Sequence, residues 1–367
     1  MTTHRIHNFS AGPCTLPLEV LEQVADQLPD FAGQGLSVIE MSHRSKTVVH
    51  IFEEAQQLIR ELLDVPDDMH ILFLGGGATF QSGMIPMNLL APGSDGGVKS
   101  ADYTHSGAWA KKAIADAKAV GKVNLVFDGT DSNFTTLPDP ATVNASDDAV
   151  YLHLTSNETI GGVQWKDFPT IDTPIVADMS SDIMSRPLDF EKFGLVYAGA
   201  QKNIGPAGCA LVLIKQAIVD QCPGNLVNHL NYANHVKGQS MANTPPVFQV
   251  YLIKLVMEWL KAKGGIAWAK DMADQRSKLL YDAVNQHSGF YACPVDERYR
   301  STMNVVFTTP SPDLDAKFVD EALSNGMSGL KGHRSVGGCR ASIYNAMPIE
   351  GAKALADFMA DFAQRNG

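Results

Sequence analysis

Lys202 closes an apolar run, GLVYAGAQK (194 to 202), behind the small residues Ala198, Gly199 and Ala200 and ahead of Asn203-Ile204-Gly205-Pro206-Ala207-Gly208. A lysine packed this closely loses hydration, which disfavours its charged form. Its pKa falls, and the neutral amine can form an imine with a carbonyl. The same residue could instead be a surface lysine ending a strand. Asp178 ends the run TPIVAD, far enough before Lys202 for one crossover and a return strand. A carboxylate there could face a protonated pyridine nitrogen, or serve as a turn or cap residue before Ser180-Ser181. At Gly75-Gly76-Gly77-Ala78-Thr79 the chain leaves an apolar run and enters a helix-like stretch, whose free N–H groups would suit a phosphate. Glycine turns follow many strands, and neither the Walker A spacing nor G-x-G-x-x-G is found there. Trp109 offers a flat face to a heteroaromatic ring, or simply fills core. A lysine for an imine, a carboxylate for a ring nitrogen, a phosphate cradle and a stacking indole together meet the needs of pyridoxal 5'-phosphate (PLP).

These residues need a scaffold that brings them together. Short apolar runs recur at 70 to 77, 123 to 127, 149 to 156, 173 to 181, 194 to 202 and 208 to 215, with helix-like stretches such as Lys46 to Leu63 and Ala108 to Val120 between several of them. Strands alternating with helices predict an α/β layer with a mostly parallel sheet, whose catalytic residues gather at the carboxyl ends of strands. From Pro246 to about Asn285 the pattern is helical, with a glycine stop at Lys263-Gly264-Gly265 and a domain boundary expected near it. Strands at Met303 to Thr308 and Cys339 to Tyr344, and helices near Leu314 to Ser324 and Ile349 to Ala363, predict a smaller α+β domain.

Composition narrows the function. The chain has 367 residues, 45% hydrophobic and 19% charged, which fits a globular enzyme and not a disordered or fibrous chain. Twenty-nine basic against forty acidic residues give a formal charge of -11, which argues against nucleic acid or anionic lipid as a partner. No apolar run is long enough for a membrane helix, and the opening MTTHRIHNFSAGP lacks the apolar stretch of a secretory signal. Five scattered cysteines without a C-x-x-C pair predict reduced thiols, hence a cytoplasmic protein without a metal site.

Several motifs carry a resemblance. Asn8-Phe9-Ser10-Ala11-Gly12-Pro13, Ser42-His43-Arg44, Thr155-Ser156-Asn157-Glu158-Thr159, the run from Ala198 to Gly208, Asn243-Thr244-Pro245-Pro246, Lys331 to Gly338 and Arg340 to Pro348 all resemble the phosphoserine aminotransferases, over nearly the whole chain. The resemblance implies a fold-type I PLP enzyme. Its large domain, 15–265, would carry a mostly parallel seven-stranded sheet flanked by helices, and 266–367 with 1–14 would form the small C-terminal α+β domain. It implies a homodimer, with active sites shared between subunits, that converts 3-phosphohydroxypyruvate and glutamate to phosphoserine and 2-oxoglutarate in serine biosynthesis. The related phosphohydroxythreonine of pyridoxine biosynthesis is a further candidate substrate. Lys202 would bind PLP covalently, Asp178 would face the ring nitrogen, Trp109 would stack on the ring, and Thr159 would lie near its phenolic oxygen. Ala78, Thr79 and Gln201 would hold the phosphate, with Asn243 and Thr244 reaching in from the second subunit. Some members carry an arginine where this chain has Thr79, and Cys14 and Cys339 replace residues that are often Ala and Met.

Both substrates are anionic at two ends, so a chain at -11 needs focused positive charge to hold them. His43-Arg44, His333-Arg334 and Arg340 are the candidates, since the planar guanidinium suits carboxylate and phosphate. As isolated pairs they could equally be solvated loop cations. By resemblance Arg340 would take the α-carboxylate, while His43, Arg44, His333 and Arg334 would surround the distal phosphate or γ-carboxylate. Three rival readings remain: another fold-type I aminotransferase acting on a small amino acid, a non-catalytic PLP binder, and a nucleotide-binding α/β protein. A desulfurase is disfavoured, since none of the five cysteines sits in a mobile-loop motif.

Overall fold

The computed structural model describes residues 5–90, 97 and 99–367. A seven-stranded sheet is built from β1 (Met69–Gly75), β2 (Ser100–His105), β3 (Lys122–Asp128), β4 (Ala149–Thr155), β5 (Ile175–Asp178), β6 (Phe193–Gly199) and β7 (Cys209–Lys215), in the spatial order β1-β7-β6-β5-β4-β2-β3. Only β7 runs against its neighbours β1 and β6; the pairs β6/β5, β5/β4, β4/β2 and β2/β3 are parallel. The α/β sheet expected from the pattern is therefore present. Phe193–Gly199 reads as an unbroken small and apolar run because it is buried along its whole length, with both faces covered.

One strand is absent from those the pattern predicts. Ser100–His105 reads as polar because Asp102 sits in its middle, yet Asp102 is fully buried. Its side chain accepts from the Ser146 N–H at 2.6 Å and Asn124 Nδ2 at 3.0 Å, so this buried polar group keeps hydrogen-bond partners.

Helices α1 (Leu18–Gln27), α2 (Lys46–Leu63), α3 (Ala78–Leu89), α4 (Ala108–Lys118) and α5 (Val247–Lys263) surround the sheet. One face packs on α2 and α5 through Ile51, Phe52, Ile59, Tyr251, Leu255 and their neighbours. The other packs on α3 and α4 through Met84, Ile85, Ala113 and Ile114. Both β1 and β2 hand the chain directly to a helix, α3 and α4 respectively, at the carboxyl edge of the sheet.

Gly264, at φ +118°, breaks the long helical stretch where the sequence places the stop, and α6 (Gly265–Gln286) begins at once. Ile266 and Ala269 at the start of α6 join the first core, whereas Leu280, Ala283 and Val284 near its end join another. That second core is completed by β8 (Asn304–Phe307), antiparallel to β9 (Cys339–Ser342), by α7 (Pro312–Ser324) and α8 (Ile349–Asn366), and by Phe9 from the N-terminal segment.

Candidate functional site

Five chain segments leave the sheet at the same edge and enclose a cavity of about 280 Å³. β1 delivers Gly77, Ala78 and Thr79; β2 delivers Trp109; β4 delivers Thr155, Asn157 and Thr159; β5 ends in Asp178; β6 runs on to Gln201 and Lys202. All of these residues line the cavity, so seven expected cofactor positions fall together here: Ala78, Thr79, Trp109, Thr159, Asp178, Gln201 and Lys202, with Asp178 and Lys202 also the expected catalytic pair. Strand register explains part of this, since Thr155 lies opposite Asp178, and Asp178 opposite Tyr197.

Lys202 is 8% exposed, and its Nζ donates to Thr159 Oγ1 at 2.6 Å. The N-terminal segment covers it from one side. Cys14 Sγ donates to the Lys202 carbonyl at 2.7 Å, and a Cβ on Gly12 would lie 3.3 Å from Lys202 Cγ. Desolvation dominates the titration of the amine and lowers its pKa to about 8, against the opposing pull of Asp178 and Glu158. Asp178 is moved up from the usual carboxylate range, first by burial, with Lys202 and the Ser180 bonds opposing. Ser180 donates to Asp178 Oδ1 from its backbone N–H at 2.9 Å and its hydroxyl at 2.6 Å, while Ser180 Oγ accepts from the Gly199 N–H. These bonds tie the end of β5 to the end of β6 and fix the carboxylate.

The chemistry of the lining fits PLP. α3 opens on Gly77, which has no side chain to cap the helix, so its first N–H groups stay available to an anion. Trp109 Nε1 and Thr155 Oγ1 are buried without a hydrogen-bond partner among the described residues. An indole face, an orphaned hydroxyl, an amine of lowered pKa and a fixed carboxylate complement an aromatic phosphorylated aldehyde.

The remaining expected residues lie outside that cavity. Arg340 reaches its rim, donating from Nη1 to the Thr159 carbonyl at 3.4 Å, and its buried Nε has no partner among the described residues. His333 is held below its ordinary pKa by desolvation and then by Arg340, Arg334 and Lys112, so these cations share one neighbourhood. His43 and Arg44 occupy the turn before α2, and Asn243 and Thr244 an exposed stretch before α5; none of the four lines the cavity. Sequence reasoning misses Ser180, Lys112 and Glu158. Lys112 Nζ sits 4.2 Å over the Trp109 ring, and its place one helical turn beyond Trp109 was the available signal. Glu158 stands inside a quoted motif, but nothing in the sequence marks it as buried.

Comparison with known proteins identifies the family. The aminotransferase class-V family model matches residues 6–355. A phosphoserine aminotransferase of Desulfosudis oleivorans is 49% identical over 99% of both chains, and one of Geobacillus kaustophilus is 45% identical over 98% of this chain and 99% of that one. Among solved structures, the phosphoserine aminotransferase of Bacillus circulans subsp. alkalophilus superposes with a TM-score of 0.96 at 44% identity, covering 100% of both chains. The PLP-bound phosphoserine aminotransferase of Trichomonas vaginalis gives a TM-score of 0.88 at 36% identity, covering 97% of this chain and 99% of that one. With a family model spanning nearly its whole length and relatives this similar, the chain belongs to the class-V aminotransferases.

Proposed function

We propose that this chain catalyses the reversible, PLP-dependent transfer of an amino group between glutamate and 3-phosphohydroxypyruvate, giving phosphoserine and 2-oxoglutarate for serine biosynthesis. The observation that carries the reading is the buried Lys202 amine, hydrogen-bonded to Thr159 and sharing one cavity with Asp178 and Trp109. The names of its relatives, several of them phosphoserine aminotransferases of 45–49% identity, support the substrate.

In this reading Lys202 carries PLP covalently, Asp178 faces the pyridine nitrogen, Trp109 stacks on the ring and Thr159 lies beside its phenolic oxygen. The first turn of α3, at Ala78 and Thr79, and Gln201 hold the phosphate. When bound, PLP supplies an electron sink for the bond broken at the substrate's α-carbon. Asp178 keeps a proton on the ring nitrogen, an arrangement that its fixed position at the end of β5 supports. With its amine pKa lowered by burial in the cofactor-free chain, Lys202 would be the group that moves a proton from and to the α-carbon. Thr159 keeps that amine on the cavity side. Arg340 takes the α-carboxylate, and His43, Arg44, His333 and Arg334 the distal phosphate or γ-carboxylate. In this reading Asn243 and Thr244, exposed and away from the cavity, serve the site of a second subunit in a homodimer. We further read 15–265 as the large domain and 266–367 with 1–14 as the small one, in a cytoplasmic protein. Among the described residues no helix is long and apolar enough to cross a membrane.

Purified protein given phosphoserine should lose its cofactor absorption band as the aminated cofactor accumulates, and Lys202→Ala should show neither the change nor turnover. Full transamination by that variant would overturn the mechanism. Removing Arg44 and Arg334 together should sharply reduce turnover of phosphoserine; an unchanged rate would favour an aminotransferase for small amino acids.

A further inference from the structure

We propose that Glu158 is a positioning residue for the cofactor: its carboxylate caps α4 from across the site and thereby fixes the Trp109 indole as the stacking face. The inference rests on reading the cavity as a PLP site.

Helix α4 begins at Ala108 behind Gly107, which has no side chain to serve as a cap. The N–H groups of Trp109 and Ala110 occupy the second and third helical positions, the two that a capping side chain ordinarily satisfies. Here they donate to Glu158, Trp109 N to Oε2 at 3.1 Å and Ala110 N to Oε1 at 2.9 Å. Both carboxylate oxygens are thus engaged by a helix N-terminus, where negative charge is favoured. Glu158 is 1% exposed and makes no ion pair among the described residues, so the cap is the main stabilisation on offer for its charge.

Gly107 and Glu158 fit each other closely. A Cβ on Gly107 would lie 2.6 Å from Glu158 Cδ, so only glycine leaves room for this carboxylate. Glu158 is held from its own side as well. It pairs with Val163 in a two-residue ladder, its carbonyl accepts from the Gly162 N–H at 2.8 Å, and the next residue, Thr159, holds Lys202 Nζ. One turn of backbone therefore sets the imine-forming amine and the helix carrying the indole at the same time. The indole itself makes no hydrogen bond among the described residues: its Nε1 lacks a partner, and its ring is met by Lys112 Nζ at 4.2 Å and Lys202 Nζ at 5.7 Å. The Glu158 side chain is not part of the cavity lining, which makes it a support and not a reacting group. Burial dominates its titration and raises its pKa to about 7, against the N–H bonds from Ala110 and Trp109; Asp178 adds to the rise and Lys202 opposes it.

The test is a double-mutant cycle in PLP affinity, measured by tryptophan fluorescence as PLP is titrated into cofactor-free protein. Glu158→Gln keeps the shape but turns an amide N–H toward one of the two backbone donors. Its PLP dissociation constant should rise about tenfold, the equilibrium equivalent of one lost cap. In a Trp109→Ala background the same substitution should have little further effect, because the residue acts through the indole. Equal affinity of Glu158→Gln and wild type, or full additivity of the two substitutions, would overturn the proposal. If Glu158→Gln does not fold, Gly107→Ala, which displaces the carboxylate from the other side, should weaken PLP in the same way, and unweakened binding there would overturn it too. Failure of the wild-type protein to bind PLP would instead sink the reading of the site.

Discussion

Lys202 and Asp178 were legible in the sequence because each is a reactive type placed at the end of an apolar strand, and parallel sheets collect such ends on one edge. Glu158 was not, because nothing in a one-dimensional pattern distinguishes a buried cap from a solvated glutamate. Both kinds of residue carry a titration signature. Lys202 titrates near 8 in the folded, cofactor-free chain against its ordinary 10.5, because burial disfavours the ammonium. Between those values the unfolded chain binds more protons than the folded one, so stability should rise with pH there. Below about 8 the penalty is fully present. Lys202→Met keeps the stem and drops the charge, so the cofactor-free variant should be more stable than wild type at pH 7 by about 3 kcal/mol, with the gap closing towards pH 11. Urea titrations of both proteins across this window measure it, and a gap that does not change with pH would contradict it. Glu158 has the opposite sign: its pKa is raised from 4.5 to about 7, so the folded chain holds a proton that the unfolded chain releases. Cofactor-free protein should lose stability as pH rises through that range, and Glu158→Gln should flatten the decline.

At the scale of elements, helices were read more easily than strands. Lys46–Leu63 was predicted to the residue, since its apolar face repeats cleanly and Ser45 supplies a cap, accepting from the Val48 N–H at 3.3 Å. Ser45→Ala should lower stability by about 1 kcal/mol. The joint between α5 and α6 was legible for a different reason: two glycines interrupt an otherwise helical run. Gly264 adopts φ +118°, and an added Cβ would meet Trp268 Cβ at 3.2 Å. Gly264→Ala should therefore destabilise by about 1–2 kcal/mol, because the left-handed conformation is unfavourable for a side chain and the neighbour must shift. Denaturant midpoints would measure both changes, and wild-type stability of Gly264→Ala would show that the joint can relax. By contrast, β2 was hidden by Asp102, whose burial depends on partners 22 and 44 residues away, beyond any local pattern.

The least legible feature concerns how the two cores are joined across the whole molecule. Arg276 projects from α6 and is completely buried, which the sequence presents as one more charge on an amphipathic helix. Its Nη1 donates to the carbonyls of Tyr344 at 2.9 Å, Asn345 at 3.0 Å and Met347, and its Nε to Met272 at 2.9 Å. The chain from Tyr344 to Met347 links β9 to α8 in the second core. Asn345 carries the connection back to the first: its N–H donates to Asn203 Oδ1, next to Lys202, and its Nδ2 to the Met184 carbonyl. Among the described residues this guanidinium has no carboxylate partner and bonds only to carbonyls, and burial lowers its pKa to about 10. Arg276→Met keeps much of the volume but leaves three carbonyls in a dry interior without their donor, which costs more than the lost bonds themselves. Its effect should reach about 3 kcal/mol, in the range of breaking a buried polar network. Because Asn345 and Asn203 relay the disturbance, the variant should also bind PLP more weakly even where it remains folded. Urea denaturation and PLP titration on the same preparation separate the two effects. A loss of under about 1 kcal/mol would mean that water replaces the guanidinium. Unchanged PLP affinity in a destabilised variant would mean that the second core holds α6 without steering the site.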